Sequence, residues 1–107
     1  MGEILFHRDE RNQIFGLTGR GMEEDGPAMT SARHLLRAAV VSMTDYLHLS
    51  PNYSAEEEVR FSLERSDPHL DREINVIMET LVIGLKLLAE EYPNDLVVHE
   101  GAQAIQV

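Results

Sequence analysis

Val59-Arg60-Phe61-Ser62-Leu63-Glu64 alternates apolar with polar residues, and within a few positions the period changes: Leu70, Ile74, Ile77, Met78, Leu81, Val82, Leu85, Leu88 and Ala89 recur every three or four residues. The first pattern is that of a strand with one wet face and one buried face; the second is the apolar stripe of an amphipathic helix of about five turns. Between them Ser66-Asp67-Pro68 offers an N-cap followed by a proline at the first helical position, where its missing N–H costs nothing. Asp71, Glu73, Glu79 and Lys86 fall largely off the stripe. At its end, Glu90-Glu91-Tyr92-Pro93 sets two acids at the negative end of the helix dipole.

Upstream, the same two periods occur once more. Ile4, Leu5 and Phe6 form a short strand that stops at Arg8-Asp9-Glu10-Arg11-Asn12, a turn composition. Residues 12 to 18, with Ile14, Phe15 and Leu17, make its antiparallel partner, ending at Gly19-Arg20-Gly21. An acidic loop, Met22 to Pro27, follows. Met29, Ala32, Leu35, Leu36, Ala39, Val40, Met43, Tyr46 and Leu47 then mark a second helix, capped by Thr30 or Ser31 and stopped at Ser50-Pro51. Downstream, Asp95 to Glu100 reads as a last strand and residues 101–107 as a tail. The predicted order is β-β-α-β-α-β. Two helices on one face of a four-stranded, mainly antiparallel sheet would cover every stripe, giving a two-layer α+β domain over residues 1–107. Leu5, Phe15 and Val97 would lie on the uncovered face, partly exposed or at a subunit interface.

Composition narrows the function. The chain has 107 residues, enough for one core. Nineteen Asp and Glu against nine Lys and Arg leave a net charge of -10, which argues against a phosphate-tracking surface and so against direct nucleic-acid binding. There is no cysteine, which removes disulfides, thiolate metal sites and a cysteine nucleophile. No run is long enough to span a membrane, and the N-terminal residues lack a signal-peptide pattern, so a cytoplasmic protein is expected. The five histidines show no metal-ligand spacing, and Glu23-Glu24-Asp25-Gly26 does not match a calcium loop; neither metal nor cofactor is expected.

The element order, the hairpin ending at Gly19, the acidic glycine-containing loop, the run Ala38-Ala39-Val40-Val41-Ser42, and the close Leu87-Leu88-Ala89-Glu90-Glu91-Tyr92-Pro93 with Asp95-Leu96-Val97-Val98 resemble the bacterial ribosomal-processing cysteine protease family, Prp. The resemblance implies a small homodimeric endopeptidase that trims the N-terminal extension of a large-subunit ribosomal protein with a Cys-His dyad. The family's histidine follows the glycine at the end of the second strand, and its cysteine stands at the start of the first helix, where the helix dipole and imidazole favour thiolate. Here Arg20 holds the histidine position. Ser31 holds the cysteine position if loop lengths are kept; matching the alanine run instead selects Arg37, with His34 at the preceding acid. Neither register supplies a thiol.

Ser31 has a plainer reading as a helix cap, and a Ser31–His34 pair three residues apart is geometrically conceivable but rarely points reactive atoms together. Arg20 between two glycines suits a peptide carbonyl or carboxylate equally with solvent. The resemblance therefore implies a degenerate, non-catalytic, dimeric domain. Its candidate peptide site comprises Gly19, Arg20, Gly21, Asp25, Gly26, Ser31 and His34, and takes a basic peptide or ribosomal protein segment. Two alternatives remain open: an active peptidase working through Ser31 or another constellation, and an unrelated α+β interaction module.

Overall fold

The structure is a computed structural model and describes residues 1–102. Strands β1 (Gly2–Arg8), β2 (Ile14–Arg20), β3 (Asn52–Ser54), β4 (Val59–Ser62) and β5 (Leu96–Ala102) form one sheet in the order β3-β4-β2-β1-β5. Helices α1 (Pro27–Val41) and α2 (Asp71–Glu91) complete an α+β domain. The expected four strands are thus five, in the order β-β-α-β-β-α-β. The additional strand is β3: Asn52-Tyr53-Ser54 is three residues long, exposed throughout and at the sheet edge, so no apolar alternation marks it in the sequence.

The pairings β1–β2, β2–β4 and β3–β4 are antiparallel, but β5 runs parallel to β1, so the sheet is mixed. Connectivity explains the direction. β4 runs the same way as β1, and a 21-residue helix about 31 Å long returns the chain across the layer before β5 begins. The hydrogen-bonded strand continues through Gly101 and Ala102, opposite His7 and Arg8; these two residues of the expected tail belong to β5, and 103–107 lie outside the described residues.

Strand alternation divides the sheet into two faces. Ile4, Phe6, Ile14, Leu17, Val59, Phe61 and Leu96 are buried beneath the helices, with Met29, Ala32, Leu36 and Met43 from the first helical stretch and Ile74, Met78, Leu81 and Leu85 from α2. The opposite face carries cross-strand rows: His99, Leu5, Thr18, Arg60 and Ser54 form one, and Val97, Glu3 and Arg20 the next. Leu5, Phe15 and Val97 are half-buried there.

Both helix starts differ from expectation. α1 begins at Pro27 with Gly26 as N-cap, so neither Thr30 nor Ser31 caps it. Proline at the first helical position has the fixed φ a helix needs, and Gly26 supplies the preceding φ of 121°. α2 begins after Leu70, which is left-handed at φ 64°, rather than at Pro68. Ser66-Asp67-Pro68 instead form a turn in which Asp67 Oδ1 accepts the His69 N–H at 2.9 Å. α1 also ends early, at Val41; Ser42–Tyr46 continue as a π turn in which the Leu47 N–H donates to Ser42 O at 3.1 Å.

Candidate functional site

Gly19 and Arg20 are the last two residues of β2, and their side chains take opposite faces. Gly19 is buried beneath the helices, where Met22 packs over it; a Cβ there would lie 3.1 Å from Met22 Cγ. Arg20 stands on the outer face opposite Glu3, with 78% of its side chain exposed and its Nε 3.8 Å from Glu58 Oε2. Glu58 also accepts from Arg60, with Oε1 2.8 Å from Nη2. Arg20, Gly21, Glu56, Glu57, Glu58 and Arg60 line an open cleft of about 450 Å³ at this end of the sheet.

The loop leading to α1 lies down on the helix. Arg33 Nη1 donates to the carbonyls of Met22 at 2.6 Å and Glu24 at 2.9 Å, and Met22 is buried. Glu24 also pairs with the Met1 ammonium at 2.5 Å. Gly21 turns at φ 68° so close to the Met1 carbonyl that a Cβ has no room. Asp25 and Gly26 are exposed.

Ser31 is the fifth residue of α1 and exposed, as is His34. The His34 Nδ1 lies 2.9 Å from Thr30 O. A carbonyl only accepts, so this nitrogen carries the hydrogen and is engaged with the backbone rather than with the Ser31 hydroxyl. Arg37 is exposed further along the same helix. The residues expected to form one site therefore separate. Arg20 and Gly21 share a cleft with the 54–60 segment, while Ser31 and His34 sit on a helix packed against the other face of the sheet, and neither lines that cleft.

No protein-family model matches the chain, and no curated protein matches its sequence. Solved structures do match. SMU.848 of Streptococcus mutans superposes with a TM-score of 0.85 at 15% identity, covering 96% of each chain. The ribosomal processing protease Prp of S. aureus, in complex with a substrate peptide, superposes with a TM-score of 0.82 at 13% identity, over 94% of this chain and 100% of that one. The same protease with a covalently linked product peptide gives 0.79 at 15% identity over the same shares. The fold is Prp-like.

Arg20 and Ser31, the positions that the sequence resemblance sets against the family's dyad, carry a guanidinium and a hydroxyl on opposite sides of the sheet. Nucleophilic attack by a serine needs a base within hydrogen-bond reach, and Arg20 is neither a base at any ordinary pH nor on the same side. Among the described residues no cluster of His, Cys, Asp and Glu is arranged to hold a metal ion, and no helix is long and apolar enough to cross a membrane. Ser54, Glu56, Glu57, Glu58 and Arg60 line the cleft and lie outside the site expected from the sequence. The signal was present in the Arg60 position, an outward member of the Val59–Leu63 alternation two strands from Leu5.

Proposed function

We propose that this chain is a non-catalytic Prp-like protein that acts as a homodimer and binds a basic peptide or ribosomal protein segment in the cytoplasm. The observation that carries the reading is the combination of a Prp-like backbone with Arg20 and Ser31 at the dyad positions, facing apart, in a chain with no cysteine. The cleft chemistry supports the ligand class. Glu58 is taken by Arg20 and Arg60, but Glu56 and Glu57 form no ion pair among the described residues and rim the cleft. Glu23 and Asp25 are likewise exposed. Carboxylates without partners attract lysine- and arginine-rich segments and repel acidic ones.

The test uses labelled peptides of matched length, one basic and one acidic, with binding read by fluorescence anisotropy and cleavage by mass spectrometry. The basic peptide binds without hydrolysis, and Glu56→Lys together with Glu57→Lys weakens it about tenfold. Specific turnover that Ser31→Ala abolishes would sink the non-catalytic reading; equal binding of both peptides would sink the assigned ligand class.

A further inference from the structure

Arg20 carries a charge that the fold hardly uses. Its cross-strand neighbour on the outer face is Glu3, yet Glu3 Oε2 lies against His99 Nε2 at 3.4 Å and makes no ion pair with Arg20. Arg20 turns instead to Glu58, whose Oε2 at 3.8 Å is beyond hydrogen-bond length, while the other oxygen of Glu58 is taken by Arg60 at 2.8 Å. Two guanidinium groups thus share one carboxylate at the cleft, and Arg20 presents its planar fork of donors to solvent. Glu56 and Glu57 line the same cleft without ion pairs among the described residues. A segment of positive charge alone is therefore mismatched here: it suits Glu56 and Glu57 and is repelled by Arg20. A basic chain resolves the conflict at its own C-terminus, where the backbone ends in a carboxylate that a guanidinium grips with two parallel hydrogen bonds.

We infer that the cleft holds the free C-terminal end of a basic peptide, with the terminal carboxylate on Arg20 and the lysine or arginine side chains near that end on Glu56 and Glu57. This rests on the ligand class proposed above and adds which part of the ligand is bound. Arg20 is then the residue that sets specificity for a chain end over an internal segment. Its guanidinium suits the task because it is fully charged at any ordinary pH and bound to no other group at hydrogen-bond distance.

The neighbouring surface gives the peptide its direction. Ser54 and Arg60 line both the cleft and a second depression of about 500 Å³ on the outer face of the sheet, whereas Arg20 lines the cleft alone. Gly16 stands in this depression between His7 and Ser62 on the adjoining strands. A Cβ on Gly16 would lie 2.7 Å from Phe61 O, so that position admits no side chain and the depression is built into the sheet. Phe15 offers it an apolar wall and Thr18 a hydroxyl, and no carboxylate lines it. With the chain end on Arg20, the preceding residues pass Ser54 and Arg60 into this depression, where uncharged side chains are favoured over basic ones. The recognised ligand is thus an uncharged stretch, then basic residues, then a free carboxylate.

The test uses one peptide of that design, labelled at its N-terminus and made as the C-terminal acid, as the C-terminal amide, and as an amide whose last side chain is glutamate. Anisotropy titrations at about 0.15 M salt give the three affinities. The acid binds about tenfold more tightly than either amide. Diffuse attraction works the other way, since amidation adds a positive charge to a ligand of a chain of net charge -10, so tighter binding of the acid reports a local contact. Arg20→Gln weakens the acid about tenfold and leaves the plain amide within about twofold; with 78% of the Arg20 side chain exposed, the variant keeps its circular dichroism and urea midpoint. Equal binding of acid and plain amide overturns the inference and leaves the basic-peptide reading in place. A glutamate-ended amide that matches the acid overturns the assignment to a chain end, and an acid preference that survives Arg20→Gln overturns the role of Arg20. If no form of the peptide binds, the proposed ligand class fails and this inference fails with it.

Discussion

Among the described charged side chains, Arg65 alone is buried, at 5% exposure. Its guanidinium donates to Ile14 O at 2.6 Å, Asn75 Oδ1 at 2.8 Å and Asp71 Oδ1 at 3.2 Å, tying the end of the hairpin to the first turns of α2. Nε has no protein partner, so the group is held through its other two nitrogens by these three acceptors. Arg65→Ala removes the donors and leaves a void, and is expected to cost on the order of 3 kcal/mol by urea unfolding. A loss under about 1 kcal/mol would mean that water replaces the guanidinium without penalty. The sequence contained this residue's placement in plain form: Val59, Phe61, Leu63 and Arg65 are successive inward positions of one alternation, and all four are buried. The apolar members of the alternation end at Leu63, two positions before Arg65. Arg20 follows the same logic. Once β2 is carried to residue 20, Leu17 and Gly19 point inward and Arg20 must point out, away from Ser31.

At the scale of elements, the strong periodic segments were legible and their ends were not. The stripe of α2 and the hairpin β1–β2 follow from burial alone, which is why periodicity finds them. Starts and stops depend on a few backbone dihedrals: Gly26 rather than Thr30 opens α1, and Leu70 in a left-handed conformation rather than Ser66 precedes α2. These placements make opposite predictions for two glycines. Gly26 has φ 121° and nothing within 4 Å of a Cβ, so Gly26→Ala meets no clash but forces a side chain into a conformation it resists, and stability falls by about 1 kcal/mol or more. Gly84 is inside α2, where a Cβ would make an ordinary 3.5 Å contact with Leu35 Cδ1. Gly84→Ala therefore raises stability by up to about 1 kcal/mol through helix propensity. Thermal unfolding of the two variants separates them in sign, and a destabilising Gly84→Ala would contradict the packing of α1 on α2 described here.

For the whole molecule, the buried and paired titrating groups set how the fold responds to acid. His7 sits on the sheet beside the Phe15 ring, 6.0 Å between centroids, and burial lowers its pKa from the ordinary 6.5. The folded chain therefore takes up this proton less readily than the unfolded chain, and stability falls as pH drops below 6.5. Glu100 is held below its ordinary 4.5 by Lys86 first and then by Arg8, whose own guanidinium is bridged to Glu79 at 2.7 and 3.0 Å. Asp71 is held below 3.8 by the Gln13 side chain first, and then by Arg65. Both carboxylates stabilise the fold above their ordinary values, and that contribution is lost as pH falls through their lowered ones. An opposing effect comes from net charge. With nineteen acids against nine bases, protonating exposed carboxylates relieves repulsion and raises stability. Salt decides between them: at about 0.15 M ionic strength the screening length is about 8 Å, which weakens the diffuse repulsion far more than the short contacts at Arg8, Glu79 and Glu100. At that salt the urea midpoint is expected to decline in two stages, one beginning near 6.5 and one below 4.5. His7→Gln removes the first stage and leaves the second, while Lys86→Met diminishes only the second. A midpoint that rises steadily on acidification at this salt would mean that diffuse repulsion outweighs the Arg8–Glu79–Glu100 pairing in this fold.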